Sequence, residues 1–112
     1  MLLTPTALLA LLRSATGFQW DAGNDTKSSA KHSVGRGECE QLFFNQPLLL
    51  TVDQPHSIKE PRYLALGRSD TGRELLVVFT LRGTLLRVIS ARPMSRRERE
   101  IYAHAKSQTG HP

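Results

Sequence analysis

The stretch RELLVVFTLRGTLLRVISAR, from Arg73 to Arg92, constrains this chain more than any other. Two runs of strand length, rich in leucine, valine and isoleucine, flank a short break, and together they predict a β-hairpin. Arg82-Gly83 fits the break, because glycine takes positive φ in a tight turn without steric cost. With those two residues as the loop, Leu81 pairs with Thr84, Phe79 with Leu86, Val77 with Val88, Leu75 with Ser90 and Arg73 with Arg92. The other face then carries Thr80 with Leu85, Val78 with Arg87, Leu76 with Ile89 and Glu74 with Ala91. A slip of one residue exchanges the faces. Both faces are mostly apolar, which predicts a central hairpin covered on both sides. Arg87 is the exception, a charge in mid-strand that is costly unless paired or open to water. Glu74 and Glu60 are the candidates for a structural partner.

The remainder of the chain has to complete a core around that hairpin. Its 112 residues suffice for one modest core. With 39% hydrophobic and 22% charged residues, the composition is that of a globular chain rather than a disordered one. Met1–Gly17 is apolar and differs in composition from the rest of the chain. It resembles the apolar part of a signal peptide but has no basic residue ahead of the run, and Ala7–Leu12 is too short to span a membrane. A weak export signal, a short helical extension and extra residues from an upstream start are the competing readings. The expectation is an extension (residues 1–17) outside a single domain of residues 18–112.

Within the domain, Asp21 suits a helix start, and Ala22–Ser33 reads as a short helix ending in Lys31-His32. Glu38–Phe44 reads as a second helix anchored by Leu42 and Phe43. Leu48–Val52 and Arg62–Gly67 are strands, separated by a polar loop that contains His56. Pro93 stops the last strand. Ser95-Arg96-Arg97-Glu98 has the spacing of a capping box, followed by a helix from Arg96 to about Lys106. Consecutive strands with short connections predict an antiparallel sheet. The expected fold is α+β: two short N-terminal helices, a four-stranded antiparallel sheet and a C-terminal helix.

The chemistry on offer is cationic. Lys+Arg is 15 against Asp+Glu 10, a net charge of +5, which favours a polyanionic partner. A single cysteine, Cys39, gives no disulfide framework and points to the cytoplasm. His32, His56, His104 and His111 show no zinc-ligand spacing, and no phosphate loop or nucleotide-binding glycine pattern occurs, so neither a metal nor a cofactor is expected. The arginines suit a phosphodiester instead. Attack by a ribose 2′-OH needs a base, donors for the charge on the phosphorus and an acid for the leaving oxygen. Arginine supplies the donors and histidine can move the proton. Against this, any one strand arginine can be a solvated charge, Arg96, Arg97 and Arg99 can form a solvated helix face, and His32 can be a buried structural residue.

Several segments together resemble the BrnT family of type II toxin–antitoxin toxins. They are Phe18–Asp21 (FQWD), Lys31-His32, Glu38–Pro47 with its Phe-Phe-Asn, His56-Ser57 and Glu60–Tyr63. They continue with Gly72-Arg73, Thr80–Gly83, the block Arg87–Arg92 and Ser95–Arg99 with Tyr102. The resemblance implies a RelE-like fold, metal-independent cleavage of RNA that inhibits translation, and neutralisation by a BrnA-type antitoxin. It also implies promoter DNA contact only through the toxin–antitoxin complex, and no membrane partner. It would give Arg87 and Arg92 to the scissile phosphate and Arg62, Arg68, Arg82, Arg96 and Arg97 to RNA binding. Lys31 or His32 would serve proton transfer, and Tyr102 would contact a base or the attacking group. The family usually has lysine where this chain has Asn24 and asparagine where it has Ser28. The alternative is therefore a non-catalytic basic module that binds an acidic protein or DNA.

Overall fold

A computed structural model describes residues 5–25, 32–53, 55 and 59–109. In chain order the described elements are α1 (Pro5–Arg13), β1 (Gly17–Phe18), α2 (Arg36–Leu42), β2 (Leu49–Val52), β3 (Tyr63–Arg68), β4 (Glu74–Arg82), β5 (Leu85–Pro93) and α3 (Arg96–Thr109). The sheet order is β1-β5-β4-β3-β2. Strands β2 to β5 are the expected antiparallel meander. The added strand is β1, which runs parallel to β5 and makes the sheet mixed. Three helices fall among the described residues; half of the expected helix Ala22–Ser33, residues 26–31, lies outside them, and Ala22–Asp25 forms a turn rather than a helix.

The hairpin forms with a different register. Arg82 pairs with Leu85, so the loop is Gly83-Thr84. Gly83 then stands at the first loop position with φ +61°, where a type II′ turn requires glycine. A loop starting at Arg82 asks an arginine to take that backbone geometry. Farther along, Phe79 opposes Val88 while Val78 opposes Ser90, so Ile89 is an extra residue in a β-bulge.

One sheet face builds the core. Ala65, Leu75, Val77, Phe79, Leu86, Val88 and Ala91 are buried together with Leu8, Val34, Cys39 and Leu42. Phe43 packs edge-on to Phe79, with ring centroids 5.1 Å apart. Leu42 of α2 lies directly over Gly67; a Cβ there would sit 2.7 Å from Leu42 Cγ, so only glycine admits this approach.

The segment expected outside the fold is packed onto it. Leu8 of α1 is fully buried in the core, and β1 begins at Gly17. Just after α1, Thr16 N–H donates to Thr84 O at 2.7 Å, tying the segment to the hairpin turn. The run LLALL is short for a membrane but long enough to cover a sheet edge. Among the described residues no helix is long and apolar enough to cross a membrane.

Candidate nucleic-acid interface

The bulge decides where the arginines point. By alternation, Leu75, Val77 and Phe79 face the core with Ala91 and Val88, so the opposite face carries Leu76 with Arg92, Val78 with Ser90, Thr80 with Arg87, and Arg82. The register expected from sequence puts Arg87 and Arg92 on opposite faces; the extra residue Ile89 reverses the alternation between them and brings both to one face. The β3 ladder places Arg68 on that face opposite Glu74. The bond from Asp53 N–H to Arg62 O continues the pairing by one residue and adds Arg62. Arg62, Arg68, Arg82, Arg87 and Arg92 thus share one face.

They do not share one point on it. Arg87 and Arg92 oppose Thr80 and Leu76, about 13 Å apart along β4 at normal strand rise. The neighbour of Arg87 is Arg82, diagonally across the pair. Arg87 donates from Nη1 to Asp21 Oδ2 at 2.8 Å and from Nη2 to Asp21 Oδ1 at 3.1 Å. Nη1 also donates to Gln19 Oε1 at 3.1 Å. The Arg87 side chain is 12% exposed and Asp21 56%. The partner is therefore Asp21, rather than Glu74 or Glu60. The guanidinium, and after it the Gly23 N–H, hold the Asp21 carboxyl below its ordinary value. Arg82 also lowers it, and Glu60 acts on Arg87, so the four charges form one electrostatic cluster.

The loop that carries Asp21 is latched by a buried residue. Asn24 Nδ2 donates to Gln19 O at 3.0 Å and to Val88 O at 2.8 Å, and its Oδ1 accepts from Asp21 N–H at 2.8 Å. A lysine could not accept that last bond. Asparagine, where the resemblance noted above leads one to expect lysine, thus has a structural use here. Trp20 Nε1 donates to Glu40 at 2.7 Å, and Arg36 stacks on the Trp20 ring while pairing with Asp25.

At the other end, Arg92 grips Glu98 with two bonds of 2.8 and 2.9 Å. Glu98 Oε1 also accepts from Ser95 N–H at 2.7 Å, and Glu98 N–H donates to Ser95 Oγ at 3.2 Å. This is the capping box expected from sequence, with an arginine added that ties the helix start to β5. The Glu98 carboxyl is lowered from 4.5 to about 2, mainly by Arg92. A carboxyl lowered on folding stabilises the folded state above its unfolded value and loses that contribution as pH falls through the folded value. Stability falling between pH 4.5 and about 2, by at most about 3 kcal/mol, is the expected share of Glu98. Thermal unfolding against pH checks it: Glu98→Gln should lower Tm at neutral pH and flatten the curve over that interval.

The other expected site residues are dispersed. Arg68, Arg96 and Arg97 are exposed, and Arg96 lies 3.9 Å from Glu100. Lys31 and His56 lie outside the described residues. The His32 carbonyl accepts from Arg73 Nη2 at 3.0 Å, and Arg73 also pairs with Glu38 of α2 at 2.8 Å. Arg73, just before β4, thereby ties the His32 backbone to α2, the helix that buries Cys39 and Leu42 in the core, and not to the five arginines. Tyr102 corrects an expectation. It has no exposed surface, and its hydroxyl donates to Pro47 O at 2.6 Å, so in this arrangement it supports the core rather than meeting a base. Glu60, which the sequence offers to Arg87, meets Arg82 instead, while Asp21 and Glu98, which carry no sequence signal as arginine partners, hold Arg87 and Arg92.

Among the described residues no three His, Cys, Asp or Glu side chains gather as a metal-binding group. Residues 20–98 match the family described as the ribonuclease toxin, BrnT, of type II toxin-antitoxin systems. A comparison with curated proteins finds no match.

Proposed function

Because this chain belongs to the BrnT family of ribonuclease toxins of type II toxin–antitoxin systems, we propose that it cuts RNA on the arginine-bearing face of its sheet without a metal. The observation that carries this reading is the shared face of Arg62, Arg68, Arg82, Arg87 and Arg92. Arg82 and Arg87, adjacent and at the turn end, neutralise the scissile phosphate as negative charge builds on it. Arg92 and Arg68 contact phosphates farther along the strand, and Arg62 adds charge beside Arg82. Arg96 and Arg97, on the first turn of α3, extend the basic surface.

The chain acts in the cytoplasm and is neutralised by a BrnA-type antitoxin that covers this face, and the pair contacts promoter DNA chiefly through the antitoxin. The test is cleavage of RNA, free and on programmed ribosomes, by purified protein in EDTA, together with induction in growing cells. Cleavage that survives chelation and growth arrest relieved by the co-expressed antitoxin are expected. No cleavage of either substrate and normal growth would support the non-catalytic alternative.

A further inference from the structure

Several carboxylates stand beside the arginines of the face, and they are held in different ways; Glu74, opposite Arg68, accepts from Lys106 Nζ at 2.7 Å. Asp21 makes two bonds to Arg87, at 2.8 and 3.1 Å, and a third from Gly23 N–H at 2.8 Å. Glu98 makes two bonds to Arg92, at 2.8 and 2.9 Å, and closes the capping box. A carboxylate so engaged is a poor proton acceptor, because charge-assisted bonds stabilise its ionised form. Glu60 differs. Its contacts with Arg82 are long, 3.4 Å to Nε and 3.3 Å to Nη2, and the side chains are 34% and 50% exposed.

The backbone next to Glu60 is nevertheless fixed. Thr80, fully buried and opposite Arg87, donates from Oγ1 to Pro61 O at 2.6 Å. The carboxylate therefore has an anchored main chain and a loosely held head, inside the charge cluster of Arg82 and Arg87. A phosphate arriving at Arg82 competes with Glu60 for the guanidinium, and the weak pair is the one that opens at least cost.

The geometry points to Glu60 as the general base of the reaction, an assignment that rests on the ribonuclease reading above. On a bound RNA the Glu60 carboxylate takes the proton from the 2′-OH. The 2′-oxygen then forms a bond to phosphorus and the bond from phosphorus to the 5′-oxygen breaks. The leaving 5′-oxygen takes a proton from water, and Glu60 later returns its proton to solvent. The products are a 2′,3′-cyclic phosphate and a 5′-hydroxyl, with no net consumption of water. Arg82, released from Glu60, and Arg87 stabilise the charge on the phosphoryl oxygens.

The experiment compares wild type, Glu60→Gln and Glu60→Ala on labelled RNA, free and on programmed ribosomes, with affinity for 2′-O-methyl RNA measured in parallel. A general base contributes about 10²–10⁴-fold, so Glu60→Gln should lose at least about 100-fold in cleavage rate while its affinity for 2′-O-methyl RNA changes less than about threefold. Added formate should restore part of the rate to Glu60→Ala, since a small carboxylate can enter the vacated space. Glu60→Gln within about tenfold of wild type would overturn the assignment, as would a loss matched by an equal loss of affinity or an Ala variant that formate leaves unchanged. Wild type that cuts neither substrate removes the assignment together with the reading it rests on, whereas wild type that cuts with an active Glu60→Gln removes the assignment alone.

Discussion

Arg87→Ala should cut RNA about 10²–10³-fold more slowly than wild type at equal folded content, the loss typical when a donor to developing negative charge is removed. The side chain sits in mid-strand opposite buried Thr80, and its guanidinium is oriented by Asp21 and Gln19 rather than left to wander. Such a group is pre-positioned, so little ordering is required when the phosphate arrives. The exposed Asp21 partner can be rehydrated when the phosphate takes its place, which keeps the guanidinium available despite the ion pair. Arg87→Lys tests the fork separately. It keeps the charge but cannot make two parallel bonds, and it should recover only part of the rate. Wild-type cleavage by folded Arg87→Ala would make the residue a strut for the Asp21 loop and move the phosphate site elsewhere on the face.

Tyr102→Ala should lose about 3–5 kcal/mol of stability, by analogy with truncation of other buried aromatics. That is a large fraction of the roughly 5–15 kcal/mol a domain of this size has, so the ratio of unfolded to folded protein should rise about 10²–10⁴-fold. Tyr102 has no exposed surface, and its hydroxyl satisfies the Pro47 carbonyl. Tyr102→Phe isolates that bond. It should cost about 1 kcal/mol and leave the cleavage rate per folded molecule unchanged. Denaturant titration gives the stabilities, and single-turnover cleavage on the folded fraction gives the rates. A folded Tyr102→Phe with a rate reduced 100-fold would return the residue to the reaction and require α3 to move when RNA binds.

Other parts of the fold divide along the same line between local and distant causes. The meander, the arrest at Pro93 and the Ser95–Glu98 capping box were legible because each is written in a few consecutive residues: alternating apolar runs, an imide that cannot continue a ladder, a hydroxyl and a carboxylate three apart. The turn was one residue out, since the choice between Arg82-Gly83 and Gly83-Thr84 depends on which residue takes positive φ. The α1 segment was misread because its apolar character says that it must be covered without saying by what. Leu8 finds its cover in the sheet core.

Local spacing and charge suffice to specify an antiparallel meander, a capped terminal helix and an excess of arginine suited to phosphate. Which arginines share a face depends instead on how the strands pair in the folded chain. One extra residue, Ile89, reverses the side-chain alternation of β5, and two carboxylates from distant segments, Asp21 and Glu60, come to rest beside Arg87 and Arg82. A bulge is a property of two paired strands, and an ion pair across 66 residues is a property of the closed chain. Neither has a local signature from which it could be read.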